Sequence, residues 1–115
     1  MSLYFIKAII LEQCPYSINA MKLLKLHNIP NELIMVNNTN KDNYISDKIN
    51  TFPQIYMKKY NMKGDLLLGG FDDLNYFIST FKGTKLTDDN LNIFLNKYNW
   101  SRKASLRLIQ LINNI

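Results

Sequence analysis

"LEQCPYSINAMKLL", residues 11–24, holds the only cysteine of the chain and marks a change of pattern. Before it, residues 3–11 (LYFIKAIIL) are rich in isoleucine and aromatic residues and lack helical spacing, which predicts a buried strand. After Cys14-Pro15, Ile18, Met21 and Leu24 recur at three- and four-residue spacing, with Ala20 among them and Lys22 and Lys25 on other faces. That spacing predicts an amphipathic helix. With the helix opening at Pro15, the proline takes the first position, where a missing N–H costs nothing, and Cys14 is the N-cap. Unpaired backbone N–H groups and the helix dipole then point at the sulfur and favour thiolate over thiol. Ser17, one turn along, is placed to donate its hydroxyl to that thiolate. A cap cysteine that merely packs is the plainer alternative, but strand–Cys–Pro–helix is a geometry that makes reactive thiols.

Outward from this point the elements follow in order. The helix should stop near His27-Asn28, because Pro30 disfavours helix in the residue before it. "ELIMVN" (32–37) reads as a second strand, and "NKDNYISDKIN" (40–50) as a short polar helix with Tyr44, Ile45 and Ile49 inward. "PQIYM" and "DLLLG" are two more strands joined by the basic turn "KKYNMKG". "FDDLNYFISTF" (71–81) is a helix opened by acidic residues, which suit the positive end of its dipole. Thr87, Asp88 and Asp89 start another helix over 91–98, and Ser101 caps a final helical segment with Leu108, Leu111 and Ile112 on one side. The first two strands, joined through a helix, should be parallel, and the last two an antiparallel hairpin. A chain of 115 residues with 47% hydrophobic residues supports one domain with a modest core, here 1–115.

Composition narrows the function classes. No run of about eighteen apolar residues exists, so nothing is expected to span or engage a membrane. The apolar opening lacks a basic n-region and is interrupted by Lys7 and Glu12, unlike a signal peptide. One cysteine cannot form an internal disulfide, which suits a reducing, cytoplasmic setting. A formal charge of +5 favours anionic partners, but the basic residues are scattered, which argues against nucleic acid as the main one. The sole histidine, His27, has no acid–base partner near it in sequence and reads as structural. No zinc-ligand spacing, phosphate loop or pair of catalytic carboxylates is present, so no metal ligand is assigned.

Two further stretches bear on chemistry. In "NTFPQIY" (50–56) the proline must stand at a strand's edge or first position. A cis Phe52–Pro53 bond would turn the Phe52 backbone outward, free to pair with an extended thiol peptide; an ordinary trans proline at a strand start is the alternative. In "GGFDDL" (69–74) Gly69 and Gly70 allow close approach of backbone to a ligand. The helix start that follows offers N–H groups to a carboxylate, and Asp72 could accept from an ammonium. A glycine turn with an acidic helix start explains the same residues equally well.

Taken together, in this order and spacing, "CPYS", "TFP" and "GGFDDL" resemble the active-site motif, the cis-proline segment and the glycine-glycine-x-acidic segment of the glutaredoxin family. The resemblance runs over about residues 3–81. It implies an α/β, thioredoxin-like three-layer sandwich, a four-stranded mixed sheet flanked by helices, with residues 82–115 as an added C-terminal helical extension. It also implies a glutathione-dependent thiol–disulfide oxidoreductase that passes electrons from glutathione to glutathionylated proteins. Residue by residue, Cys14 would be the nucleophile and Ser17 its helper. Tyr16 would line the cleft, Thr51 and Phe52 would hold the cysteinyl backbone of glutathione beside Pro53, and Gly70, Phe71 and Asp72 would take its γ-glutamyl end.

Ser17 stands where the family usually has a second cysteine, so the resemblance implies a monothiol cycle. The lysine common three residues before the nucleophile is here Leu11, and the basic residue often preceding the threonine is Asn50; Lys48 or Gln13 are candidates to replace them. An alternative activity is carriage of a [2Fe–2S] cluster bridged by glutathione between two subunits, against which Pro15 argues. Another is a non-catalytic thioredoxin-fold adaptor. The extension reads as a helix packed on the sheet in a monomer, since Leu108, Leu111 and Ile112 need cover; a partner or dimer contact is the alternative.

Overall fold

The strand predicted from residues 3–11 is β1 (Tyr4–Leu11), and it lies inside the sheet rather than at its edge. The computed structural model describes residues 3–83 and 87–114, so residues 1–2 and 115 of the expected domain and 84–86 of the expected extension lie outside the described residues. The sheet has four strands in the order β2-β1-β3-β4. β2 (Asn31–Val36) runs parallel to β1, while β3 (Gln54–Lys59) is antiparallel to it and pairs with β4 (Leu66–Gly69) as an antiparallel hairpin. Both sides of β1 are covered: Ile6, Ala8 and Ile10 on one face, Phe5 and Ile9 on the other, are buried. Burial on two faces explains why the strand reads as a continuous apolar run instead of an alternating one.

The Ile6 face carries the helices. α1 (Pro15–Leu26) brings Ala20 and Leu24, and α2 (Phe71–Phe81) brings Leu74, Phe77, Ile78 and Phe81. α3 (Asp88–Lys97) and α4 (Arg102–Ile112) close the same apolar cluster with Leu91, Phe94, Leu108, Leu111 and Ile112. Thr87 and Ser101 cap α3 and α4 by accepting from the amides of Asn90 and Ala104, as their sequence positions predict. Phe94 meets Phe77, Phe81 and Trp100 edge-on at centroid distances of 5.4, 4.9 and 5.3 Å. The apolar side of the extension is therefore used within the chain's own core. Lys82 ties its end down: Nζ donates to the carbonyls of Ile112 (2.8 Å) and His27 (3.5 Å), the C-terminal ends of α4 and α1, where a cation is favoured. No helix among the described residues is long and apolar enough to cross a membrane.

One expected element differs. The polar helix over 40–50 is reduced to a single 3-10 turn, Lys41–Tyr44, and Ile45 is exposed, not inward. Side chains compete for the backbone there: Asn37 Oδ1 accepts from the amides of Thr39 and Asn40, and Ser46 Oγ from those of Lys48 and Ile49. Such local bonds favour turns over helix. This segment covers the Lys7–Ile9 face of the sheet, where buried Gln54 donates from Nε2 to the Tyr44 carbonyl at 2.7 Å.

Phe94→Ala is expected to lower the free energy of unfolding by about 3–5 kcal/mol, through loss of buried ring contacts. Ile93→Ala, at a 58% exposed neighbour, should change it by less than about 0.5 kcal/mol. Urea denaturation of the two variants measures this, and equal losses would contradict the packing of α3.

Candidate active site

Leu11 ends β1, a two-residue turn follows with Gln13 at φ 64, and Cys14 caps α1 with Pro15 in its first turn. The turn is closed by Cys14 N donating to the Leu11 carbonyl at 3.2 Å, and the helix begins with Ile18 N donating to the Cys14 carbonyl at 3.0 Å. The thiol is half-buried and makes no side-chain cap hydrogen bond. Its Sγ lies 3.9 Å from the carbonyl oxygen of Phe52, 38 residues away in sequence. The Phe52–Pro53 bond is cis. The reactive-residue candidates from two separate motifs thus stand side by side.

Ser17 is placed differently from the sequence expectation. It is fully buried, and its Oγ accepts from the Leu11 amide at 3.1 Å. Pairing of β1 with β3 ends at Ile9 opposite Gln54, two residues before Leu11. With β3 no longer alongside, the Leu11 N–H takes the serine oxygen instead, since a buried amide left unpaired is costly. Ser17 thereby locks the strand–helix junction rather than reaching the sulfur.

Beside Cys14 a groove of about 420 Å³ is lined by Tyr16, Thr51, Phe52, Pro53, Gly70, Phe71, Asp72 and Asp73. The structure brings together all seven residues that the resemblance assigned to glutathione. The rings of Tyr16 and Phe71 are 6.2 Å apart, giving the groove aromatic surface near its mouth. Gly69 has φ 135, and a Cβ there would collide with the Asp73 carboxylate, so glycine is required at that position. At Gly70 a Cβ would meet only the Pro53 carbonyl oxygen at 3.6 Å, an ordinary contact, so steric need for glycine rests on Gly69 alone.

The two acids at the start of α2 have separate surroundings. Asp73 Oδ2 accepts from the Gly70 amide at 2.9 Å, the acidic half of a capping box, and Oδ1 accepts from the Tyr98 hydroxyl at 2.9 Å. Asp72 is exposed, with no hydrogen-bond partner among the described residues, and remains free to accept from a ligand. Sequence reading missed Asp73, although the spacing from Gly70 to an acid three residues on was a usable signal. It missed Tyr98, for which no local signal exists. Tyr98 titrates well above the ordinary tyrosine range, because burial disfavours the phenolate and the adjoining Asp73 carboxylate favours the O–H donor. Among the described residues no lysine or arginine lines the groove; Lys48 and Gln13 are not among its lining residues, and Leu11 commits its amide to Ser17.

A family model described as Glutaredoxin matches residues 3–60, just over half of the chain. That span includes Cys14, Tyr16 and the Thr51–Phe52–Pro53 segment, and stops short of the Gly69–Asp73 wall. No curated protein matches the chain.

Ser17→Ala should cost about 1–3 kcal/mol of stability by orphaning the Leu11 amide, with faster hydrogen exchange at that amide. Unchanged exchange would show that the junction is held some other way. In an ultraviolet titration the phenols of Tyr56 and Tyr98 should both ionise later than free tyrosine, and the later of the two steps should vanish in Tyr98→Phe. The stabilisation tied to the neutral form of Tyr98 is complete below about pH 10 and is lost as pH rises through the raised folded value.

Proposed function

Because the chain belongs to the glutaredoxin family, we propose that it is a glutathione-dependent thiol–disulfide oxidoreductase working through the single thiol of Cys14. The observation that carries this reading is the placement of Cys14 Sγ beside the Phe52 carbonyl, at the edge of a groove bounded by Tyr16, Pro53, Phe71 and Asp72. A 420 Å³ groove is of a size for a small extended peptide.

In the first step the Cys14 thiolate attacks the glutathione sulfur of a protein–glutathione mixed disulfide. The Cys14–S–glutathione bond forms, the old S–S bond breaks, and the protein sulfur leaves as a thiolate that takes a proton. In the second, the thiolate of another glutathione attacks that glutathione sulfur, regenerating the Cys14 thiolate and releasing glutathione disulfide. Net, one glutathione thiol is oxidised as one glutathionylated protein sulfur is returned to its thiol, and the mixed disulfide leaves as glutathione disulfide. With a serine at position 17 no internal disulfide competes with this cycle.

The residues divide the binding. Thr51 and the Phe52 backbone hold the cysteinyl part beside Pro53, which sets its sulfur near Cys14. The first turn of α2 supplies N–H groups without intrahelical partners for the γ-glutamyl carboxylate, and Asp72 accepts from its ammonium. Asp73 has both oxygens engaged and does not compete for that role. Ser17 acts through the strand–helix junction and touches no substrate.

Reduction of a glutathionylated peptide, coupled to glutathione reductase, tests the reading. Cys14→Ser should fall to the uncatalysed rate, whereas Ser17→Ala should only weaken turnover; full activity in Cys14→Ser would refute the assignment. Asp72→Asn should raise KM about two- to tenfold, the range of a partly exposed charge-assisted contact, with little change in kcat.

A further inference from the structure

The wall of the groove formed by Gly70, Phe71 and Asp72 is held from behind by a residue of the C-terminal extension. Tyr98 follows α3, where its amide donates to the Phe94 carbonyl at 3.1 Å. Its ring is stacked on Trp100 (4.7 Å, 22°) and packed against Phe77 (5.0 Å) and Phe94 (5.2 Å). These contacts fix where the hydroxyl points, which is at Asp73 Oδ1, 2.9 Å away. The other oxygen of the same carboxylate receives the Gly70 amide. Tyr98 O–H, Asp73 and Gly70 N–H therefore form one chain of hydrogen bonds from the aromatic cluster to the groove. The phenol stays protonated across the range in which thiol–disulfide exchange runs, so the donor is always present.

We infer that Tyr98 is a positioning residue for the ligand groove, holding Asp73 on the Gly70 amide so that this groove-lining carboxylate keeps both oxygens engaged by the protein and not turned to the ligand. Without the hydroxyl, Oδ1 faces aromatic rings with no donor, a costly state for a carboxylate oxygen. The carboxylate then turns to water in the groove, loosens from Gly70, and adds negative charge where the γ-glutamyl carboxylate has to sit. Helices α3 and α4 thus belong to the binding site as well as to the core, although Tyr98 lies outside the residues matched by the family model. The inference rests on the function proposed above.

Tyr98→Phe keeps the ring and removes only the donor. With a glutathionylated peptide as substrate, its KM should rise roughly three- to tenfold, the range expected for one lost hydrogen bond. kcat and the rate of Cys14 alkylation by iodoacetamide should stay within about twofold, a split that a general loss of packing would not produce. Asp73→Asn, which keeps an acceptor for the Gly70 amide but carries no charge, should raise KM less than Tyr98→Phe does, and adding Tyr98→Phe to it should have little further effect. An active wild type with unchanged KM in Tyr98→Phe, or strictly additive effects of the two substitutions, overturns the inference alone. A wild type without glutathione-dependent turnover overturns the proposed function and the inference with it.

Discussion

The hydrogen bond from the Leu11 amide to Ser17 Oγ closes the corner on which the candidate site is built. A strand that leaves its antiparallel partner must do something with its next inward amide, and here a serine one turn into the following helix receives it. That choice brings the first turn of α1 against the end of β1 and leaves Cys14 at the bend between them. β3 can then enter the sheet at Gln54 with Phe52 and Pro53 just outside it, next to the sulfur. The position usually held by a second thiol in the family is thus occupied by a group with a structural task. A hydroxyl oxygen is a better acceptor for a backbone amide than sulfur.

Much of this was legible in the order of residues. The helix over 71–81 coincides with α2 because apolar residues, an acidic first turn and a preceding glycine pair all agree. Thr87 and Ser101 announce α3 and α4 through the preference of short oxygen-bearing side chains for N-caps. Residues 40–50 misled because their helical spacing was outweighed by Asn37 and Ser46, whose side chains take the amides a helix would need. The groove residues were named from three motifs, but their meeting around one cavity depends on the sheet order, which no local pattern records. The Tyr98–Asp73 contact, 25 residues apart and set by an aromatic cluster, lay beyond such reading.

Two adjacent carboxylates in "GGFDDL" illustrate how position within one helical turn separates roles. Asp73, third in α2, folds back onto the Gly70 amide and is consumed by the fold. Asp72 projects outward and stays available. The collision that any side chain at Gly69 would make with Asp73 shows how tightly that turn is drawn.

The two sides of that groove differ in how they are anchored. Gly70, Phe71 and Asp72 stand on α2, whose Leu74, Phe77 and Ile78 are sunk in the core. Thr51 and Phe52 end a stretch, 37–52, in which no residue is buried and order comes from asparagine and serine side chains near the surface. A stretch of that kind opens locally at small free-energy cost, while a helix seated in the core opens only with the whole domain. The cleft accordingly has one jaw seated in the core and one held by surface turns, so whatever enters it meets a firm wall at α2 and a more yielding one at Thr51.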